Sequence, residues 1–156
     1  MKSSILALLF CSLAYGQAVS QNAEKFDEFE ETPCDEYLGR MDSAFANAHE
    51  NPNTALYILI YEGKERSWSR RKNQIEWVFP TRRSVATKIS SMKRYINLRK
   101  FPIDRVRIIR AGFRKHLSLE IWLVPRGAEP PKATPTLAKM KYRKGKAEGF
   151  CLWCCE

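Results

Sequence analysis

Cysteine and arginine carry most of the chemistry this sequence can offer. Apart from Cys11 in the apolar stretch at the start, which leaves four, Cys34 stands alone in the first part of the chain, while Cys151, Cys154 and Cys155 crowd its end as a Cys-x-x-Cys-Cys run. In an exported protein such thiols oxidise, and four cysteines allow three full pairings, between which the residues alone do not choose. Zinc is the alternative for Cys34 with the terminal cluster, but adjacent ligands fit poorly around one tetrahedral ion. A second grouping could hold anions: Lys64, Arg66, Arg70, Arg71 and Lys72 surround Trp68, with Trp77 following. Guanidinium and indole together suit phosphate or carboxylate contact combined with stacking. Trp68, Arg70 and Arg71, with Arg82, Arg83 and Lys88 in the next predicted element and Arg114 beyond it, are the candidate ligand-binding residues. His49 and His116 lie in no recognisable motif, and the chain has no HExxH, no GxSxG and no phosphate loop. It is therefore read as non-enzymatic, with no catalytic residues, no metal and no cofactor expected.

The first residues set the compartment. Lys2, the apolar run from Ile5 to Ala14, and small residues at Ala18 and Ser20 before Gln21 form a secretory signal peptide over residues 1–20, with Gln17 as a second cleavage option. The run is too short to span a bilayer, and no later stretch approaches the roughly 20 residues required, so no transmembrane segment is expected in the mature protein. The expected location is secreted or periplasmic. The formal charge is +10. From Gln21 to Glu50 nine acidic residues face only Lys25 and Arg40, a net of −7, while downstream eight acids face 24 bases, a net of +16. An acidic head and a basic remainder attract each other in part and leave a basic face for an anionic partner. Basic patches with interleaved aromatics also suit nucleic acid, but export argues against that partner and none is expected.

The elements that must position these residues follow from periodicity. Residues 21–31 are acidic with only Phe26 and Phe29 to bury, and are expected to be flexible. Thr32 and Pro33 read as a helix start, and Tyr37, Leu38, Met41, Ala44, Phe45 and Ala48 make an apolar stripe that ends at Asn51-Pro52-Asn53. Ala55 to Tyr61, ALYILIY, is an unbroken apolar run suited to a central strand covered on both faces. Gly63 opens a basic excursion to Pro80, either a loop or a loop with a short strand at Ile75 to Phe79. Pro80-Thr81 starts a second predicted helix with Val85, Ile89, Met92, Tyr95 and Ile96 inward and Arg82, Lys88, Lys93 and Arg94 on the opposite face. Arg105 to Arg126 then reads as two strands and the turn between them, the second alternating Leu117, Leu119, Ile121 and Leu123 with polar neighbours. The expected fold is α+β: a small mixed sheet of three or four strands with two helices packed on it, in the order α-β-α-β-β. Its span is residues 32–125. A Pro-rich strap over 126–139 and a basic, Cys-rich segment over 140–156 follow, the latter returning to the domain as a disulfide-stapled tail.

The stretch from Ala55 to Pro125 resembles a shortened, divergent C-terminal domain of the outer-membrane protein A (OmpA-like) family. The likeness rests on ALYILIY with Gly63, on KISSMKRYINLRKF leading through PIDRV, and on RIIRAGF. It is stronger for a group of uncharacterised secreted bacterial proteins with a Trp-containing last strand, a Pro-rich strap, a Lys-Gly-Lys segment and a terminal Cys. Here these are LEIWLVPRGAEPPKATPT, Lys144-Gly145-Lys146 and the cysteine cluster. That likeness implies Cys154 as the disulfide partner of Cys34. Peptidoglycan-binding members hold a diaminopimelate residue with an Asp after the first strand and an Arg on the next helix. This chain has Glu62, Gly63, Lys64 and Glu65 after Tyr61, and Lys88 where the Arg belongs. The expected function is a non-enzymatic, envelope-associated binding module for an anionic cell-envelope component. The alternative is a degenerate peptidoglycan-binding OmpA-like domain.

Overall fold

A computed structural model describes residues 22–147 and 149. Its elements run β1 (Glu24–Glu30), α1 (Cys34–Glu50), β2 (Thr54–Ser69), β3 (Gln74–Val78), α2 (Ser84–Leu98), a 3-10 turn (Ile103–Arg105), β4 (Val106–His116) and β5 (Ser118–Pro125). The predicted order of two helices and three strands is present, the optional short strand expected at Ile75 to Phe79 forms as β3, and β1 precedes them all. The sheet has five strands rather than three or four. It is mixed: β2 and β4 are parallel, and the β1–β5, β2–β5 and β2–β3 pairs are antiparallel.

Apolarity on both faces puts β2 at the centre, as the ALYILIY run predicts. Leu56, Ile58 and Ile60 face the helices in one cluster with Met41, Phe45, Met92 and Ile96. Leu59 and Tyr61 point to the other face with Ala111, packed by Tyr57, Ile109 and Trp122. The α1 stripe is buried as expected at Tyr37, Met41, Ala44, Phe45 and Ala48. Pro33 is the residue just ahead of the first helical turn rather than its first member. The second helix starts at Ser84, later than Pro80-Thr81, because Thr81 and Ser84 bond each other ahead of it.

Two expectations are corrected by the sheet. Within the acidic segment 21–31, expected to be flexible, Glu24–Glu30 forms β1 along β5. Phe26 and Phe29, three apart, do not fit a two-residue period, but the register shifts between Lys25 and Asp27, so Phe26 is the extra residue of a bulge and both rings pack on the helix side. The charges on this edge strand also discourage pairing with another chain. The second correction concerns the expected β4–β5 hairpin. These strands are joined by Leu117 alone, yet β2 lies between them, with β4 on one flank and β5 on the other.

That arrangement requires the chain to cross over β2 where β4 ends, and Gly63 makes room for it. A Cβ at Gly63 would lie 2.0 Å from the His116 carbonyl carbon and 2.3 Å from Leu117 N. Leu117 N donates to Lys64 O at 2.9 Å, and Leu117 O accepts from Glu31 N at 3.0 Å, so the crossing peptide is hydrogen-bonded on both sides. Beyond the crossing, β2 runs out with β3 as a hairpin, which gives order to the basic excursion.

The strap is part of the domain rather than a connector outside it. Thr136 N and Leu137 N both donate to Phe113 O, and Thr134 N donates to the Tyr61 hydroxyl at 3.0 Å. Pro135 presses on Gly112, whose φ of +101° and missing side chain let the strap approach β4 closely. Helices cover one face of the sheet and the strap covers part of the other. The predicted Cys34–Cys154 disulfide, Cys151, Cys155 and the leader over residues 1–20 involve positions outside the described residues. Cys34 is the half-buried first residue of α1.

Candidate functional site

Two surfaces gather the exposed candidate residues, and the first is the β2–β3 hairpin. Cross-strand pairing sets Trp68 opposite Ile75 and Arg66 opposite Trp77. Directly paired residues share a face, and so do residues two apart, so these four side chains lie on one side of the hairpin. Exposure rises away from the domain, from 38 % at Phe79 and Trp77 to 50 % at Ile75 and 57 % at Trp68. The turn brings Arg70, Arg71 and Lys72 to the tip, with Asn73 in the left-handed region at φ 51°. Lys72 pairs with Glu76, and its ammonium holds that carboxyl below its ordinary range. Arg70 and Arg71 are exposed and make no ion pair among the described residues.

The root of the hairpin is fixed to the domain. The Trp77 ring stacks on His116 at 4.1 Å with an interplanar angle of 7°, and His116 Nδ1 lies 2.9 Å from Glu30. Lys64 Nζ sits 5.1 Å from the centre of the Phe79 ring, and Arg66 N donates to Glu31. Charged strands and exposed tryptophans are thereby held on a rigid support instead of a loose loop.

The second surface is a cleft at the start of α2. It is lined by Thr81, Arg82, Arg83 and, from the far end of the chain, Met140 and residues 142–145. Arg143 N donates to Pro80 O at 2.9 Å, closing the two segments together. The Arg82 guanidinium lies 5.6 Å from the Tyr142 ring centre, and the Tyr142 hydroxyl donates to Glu62 at 3.0 Å. Burial, then that bond to a carboxylate, raises the Tyr142 phenol above its ordinary value. Among the described residues, Arg82, Arg83, Arg143 and Lys144 line the cleft with no carboxylate beside them, and Arg143 Nε is buried with no hydrogen-bond partner. The first turn of α2 also lacks an acidic residue, so the positive end of its dipole adds to these charges.

Of the remaining two candidates, Lys88 lies inside the molecule and Arg114 is half-buried. Lys88 was expected on the exposed face of α2 but is 2 % exposed, with Nζ 2.8 Å from Glu31 and 3.9 Å from Glu65. Burial raises the Glu65 carboxyl above its ordinary range despite Lys88, and Ser84 Oγ donates to it. The reason is register: Lys88 lies one turn from Ser84 and Met92, on the buried side, and two carboxylates from β1's end and β2 draw it inward. Arg114 stacks over Tyr61 at 3.5 Å and holds Glu28, Glu120 and the Thr134 hydroxyl. Glu120 is 1 % exposed; burial works to raise its carboxyl, but Trp122 Nε1–H and Arg114 hold it below the usual range. Both cations have structural employment.

The sequence candidates thus fall into three places: Trp68, Arg70 and Arg71 on the hairpin, Arg82 and Arg83 in the cleft, and Lys88 and Arg114 in internal ion pairs, the first buried and the second half-buried. Arg143, Lys144 and Tyr142 were not singled out as site residues. Their signal was the basic run KMKYRKGK, which could be matched to Arg82 and Arg83 only through the fold. No group of three or more His, Cys, Asp or Glu able to hold a metal occurs among the described residues. No helix there is long and apolar enough to cross a membrane. In comparison with known proteins, no family model, no curated protein and no solved structure matches this chain.

Proposed function

We propose that this chain is an exported, non-enzymatic module that binds an anionic component of the cell envelope through its basic surfaces. The observation that carries this reading is the cleft in which Arg82, Arg83, Arg143 and Lys144 converge with no carboxylate on its walls among the described residues. Several bases elsewhere are neutralised from within. Arg40 bonds Asp27 and Glu36, Arg99 bonds Asp42, Arg114 bonds Glu28 and Glu120, and Lys88 bonds Glu31. Cations left in a group without such partners repel one another until an anion joins them.

The non-enzymatic part of the reading is supported by the histidines. His116 is committed to Trp77 and Glu30, and His49 lies exposed in the last turn of α1. The peptidoglycan alternative gains nothing from Lys88, whose ammonium is already engaged by Glu31 inside the domain.

The test is retention of the purified protein on cell-wall sacculi and on anionic lipid vesicles, each at low and high salt. Salt-sensitive retention on at least one support is expected, and Arg82→Gln with Arg83→Gln should weaken it severalfold. Passage through both supports at low salt would end the proposal.

A further inference from the structure

We propose that the β2–β3 hairpin docks on the surface of an anionic lipid bilayer, with Trp68 and Ile75 entering the boundary between headgroups and acyl chains. This deepens the reading of an anionic envelope partner and rests on it. The occupant is argued from the combination of side chains. Trp68, Ile75 and Trp77 form one apolar face, Arg66 shares that face, and Arg70 and Arg71 extend beyond it at the turn. An anionic bilayer presents the complementary order, phosphates outside and apolar chains just behind them. Indole rings favour that interface because one edge is apolar and the N–H remains wet. The patch is small: the Trp68–Ile75 and Trp77–Arg66 pairs are about 7 Å apart along the strands. Such a patch reaches the interface and no further.

The domain is built to present this face. Exposure of the large apolar residues increases toward the tip, from 38 % to 57 %, which places the most lipid-suited ring farthest from the core. At the root, the Trp77–His116 stack and the Glu31 bond to Arg66 N keep the hairpin from folding back on the domain. The acidic residues beside it each have a cationic or ring-nitrogen partner: Glu76 pairs with Lys72, Glu31 and Glu65 lie against Lys88, and Glu30 at the root bonds His116.

The experiment uses the purified protein with phosphatidylcholine vesicles made with and without phosphatidylglycerol, and vesicles with brominated acyl chains to quench tryptophan at the interface. Inorganic polyphosphate serves as an anion without an apolar layer. Binding that requires phosphatidylglycerol, with quenched tryptophan emission, is expected. Arg70→Gln with Arg71→Gln should weaken binding about thirtyfold, each cation near an anionic surface contributing about fivefold. Trp68→Ser with Ile75→Ser should weaken it at least about tenfold. Trp68→Phe should retain vesicle binding while losing much of the quenching. Vesicle binding that leaves tryptophan unquenched and ignores Trp68→Ser with Ile75→Ser would overturn the docking while leaving the anionic-partner reading in place. Retention on sacculi or polyphosphate without retention on anionic vesicles would do the same. No retention on any of these supports would remove both.

Discussion

Single residues decide whether this fold can close. Gly63 is the clearest, since any Cβ there would meet backbone atoms of His116 and Leu117, which have no flexible end to give way. Gly63→Ala is expected to destabilise by more than about 4 kcal/mol or to prevent folding, as chemical denaturation would measure. The buried Glu31–Lys88–Glu65 group makes a second case. Lys88→Met leaves two carboxylates buried without their cation, and a loss of about 3 to 5 kcal/mol is expected. Glu65→Gln should act in the opposite direction, with a definite sign in pH. Its carboxyl is raised in the folded state, so the native protein binds more protons than the unfolded one, and stability from this group falls as pH rises through the carboxylate range. Thermal melts of wild type and Glu65→Gln should therefore coincide in acid and diverge toward neutral pH, with the variant the more stable. Coincident melts at neutral pH would show that burial does not govern this carboxyl.

At the scale of elements, the strap behaves as an additional layer of the domain. Its contacts are few and identifiable: Thr134 to Tyr61, Thr136 and Leu137 to Phe113, and Pro135 on Gly112. Tyr61→Phe removes the acceptor for Thr134 N and should cost about 1 kcal/mol in strap docking. Limited trypsin digestion would report it as faster cleavage at Lys132 and Lys139 with the sheet still intact. The pairing of α1 with α2 rests partly on Tyr95, whose hydroxyl donates to Asp42 at 2.6 Å. Burial and that bond push the Tyr95 phenol up to about 12. In an ultraviolet pH titration Tyr95 should ionise later than an ordinary tyrosine, and Tyr95→Phe should remove the late step.

Across the whole molecule, charge is sorted between inside and outside. The acidic head becomes β1 and the start of α1, where it meets Arg40, Arg114, Lys88 and Arg99. Among the described residues, Arg70 and Arg71 at the hairpin tip and the four cations of the cleft beside α2 make no ion pair. Glu28, Asp42 and Glu120 have carboxyls held below their ordinary range. Their contribution is present above the unfolded-state value near about 4 and is lost as pH falls through the depressed folded values. Calorimetry should accordingly show the melting temperature dropping in acid below that value, the trend of Glu65 running the other way.

The sequence alone determined the two helices, their buried stripes and the central position of Ala55 to Tyr61, because apolar periodicity responds directly to which faces meet water. It also marked the exposed cations around Trp68. It did not reveal β1, because a bulge at Phe26 breaks the alternation on which strand reading depends. Nor did it show that β4 and β5 flank β2, because adjacency in the chain favours a hairpin and only the close fit of His116 over Gly63 permits the crossing. The division of the basic residues followed from the same cause. Lys88 and Arg114 went into internal ion pairs and Arg143 joined Arg82 because distant segments were brought together, and separation in space is not written in separation along a chain.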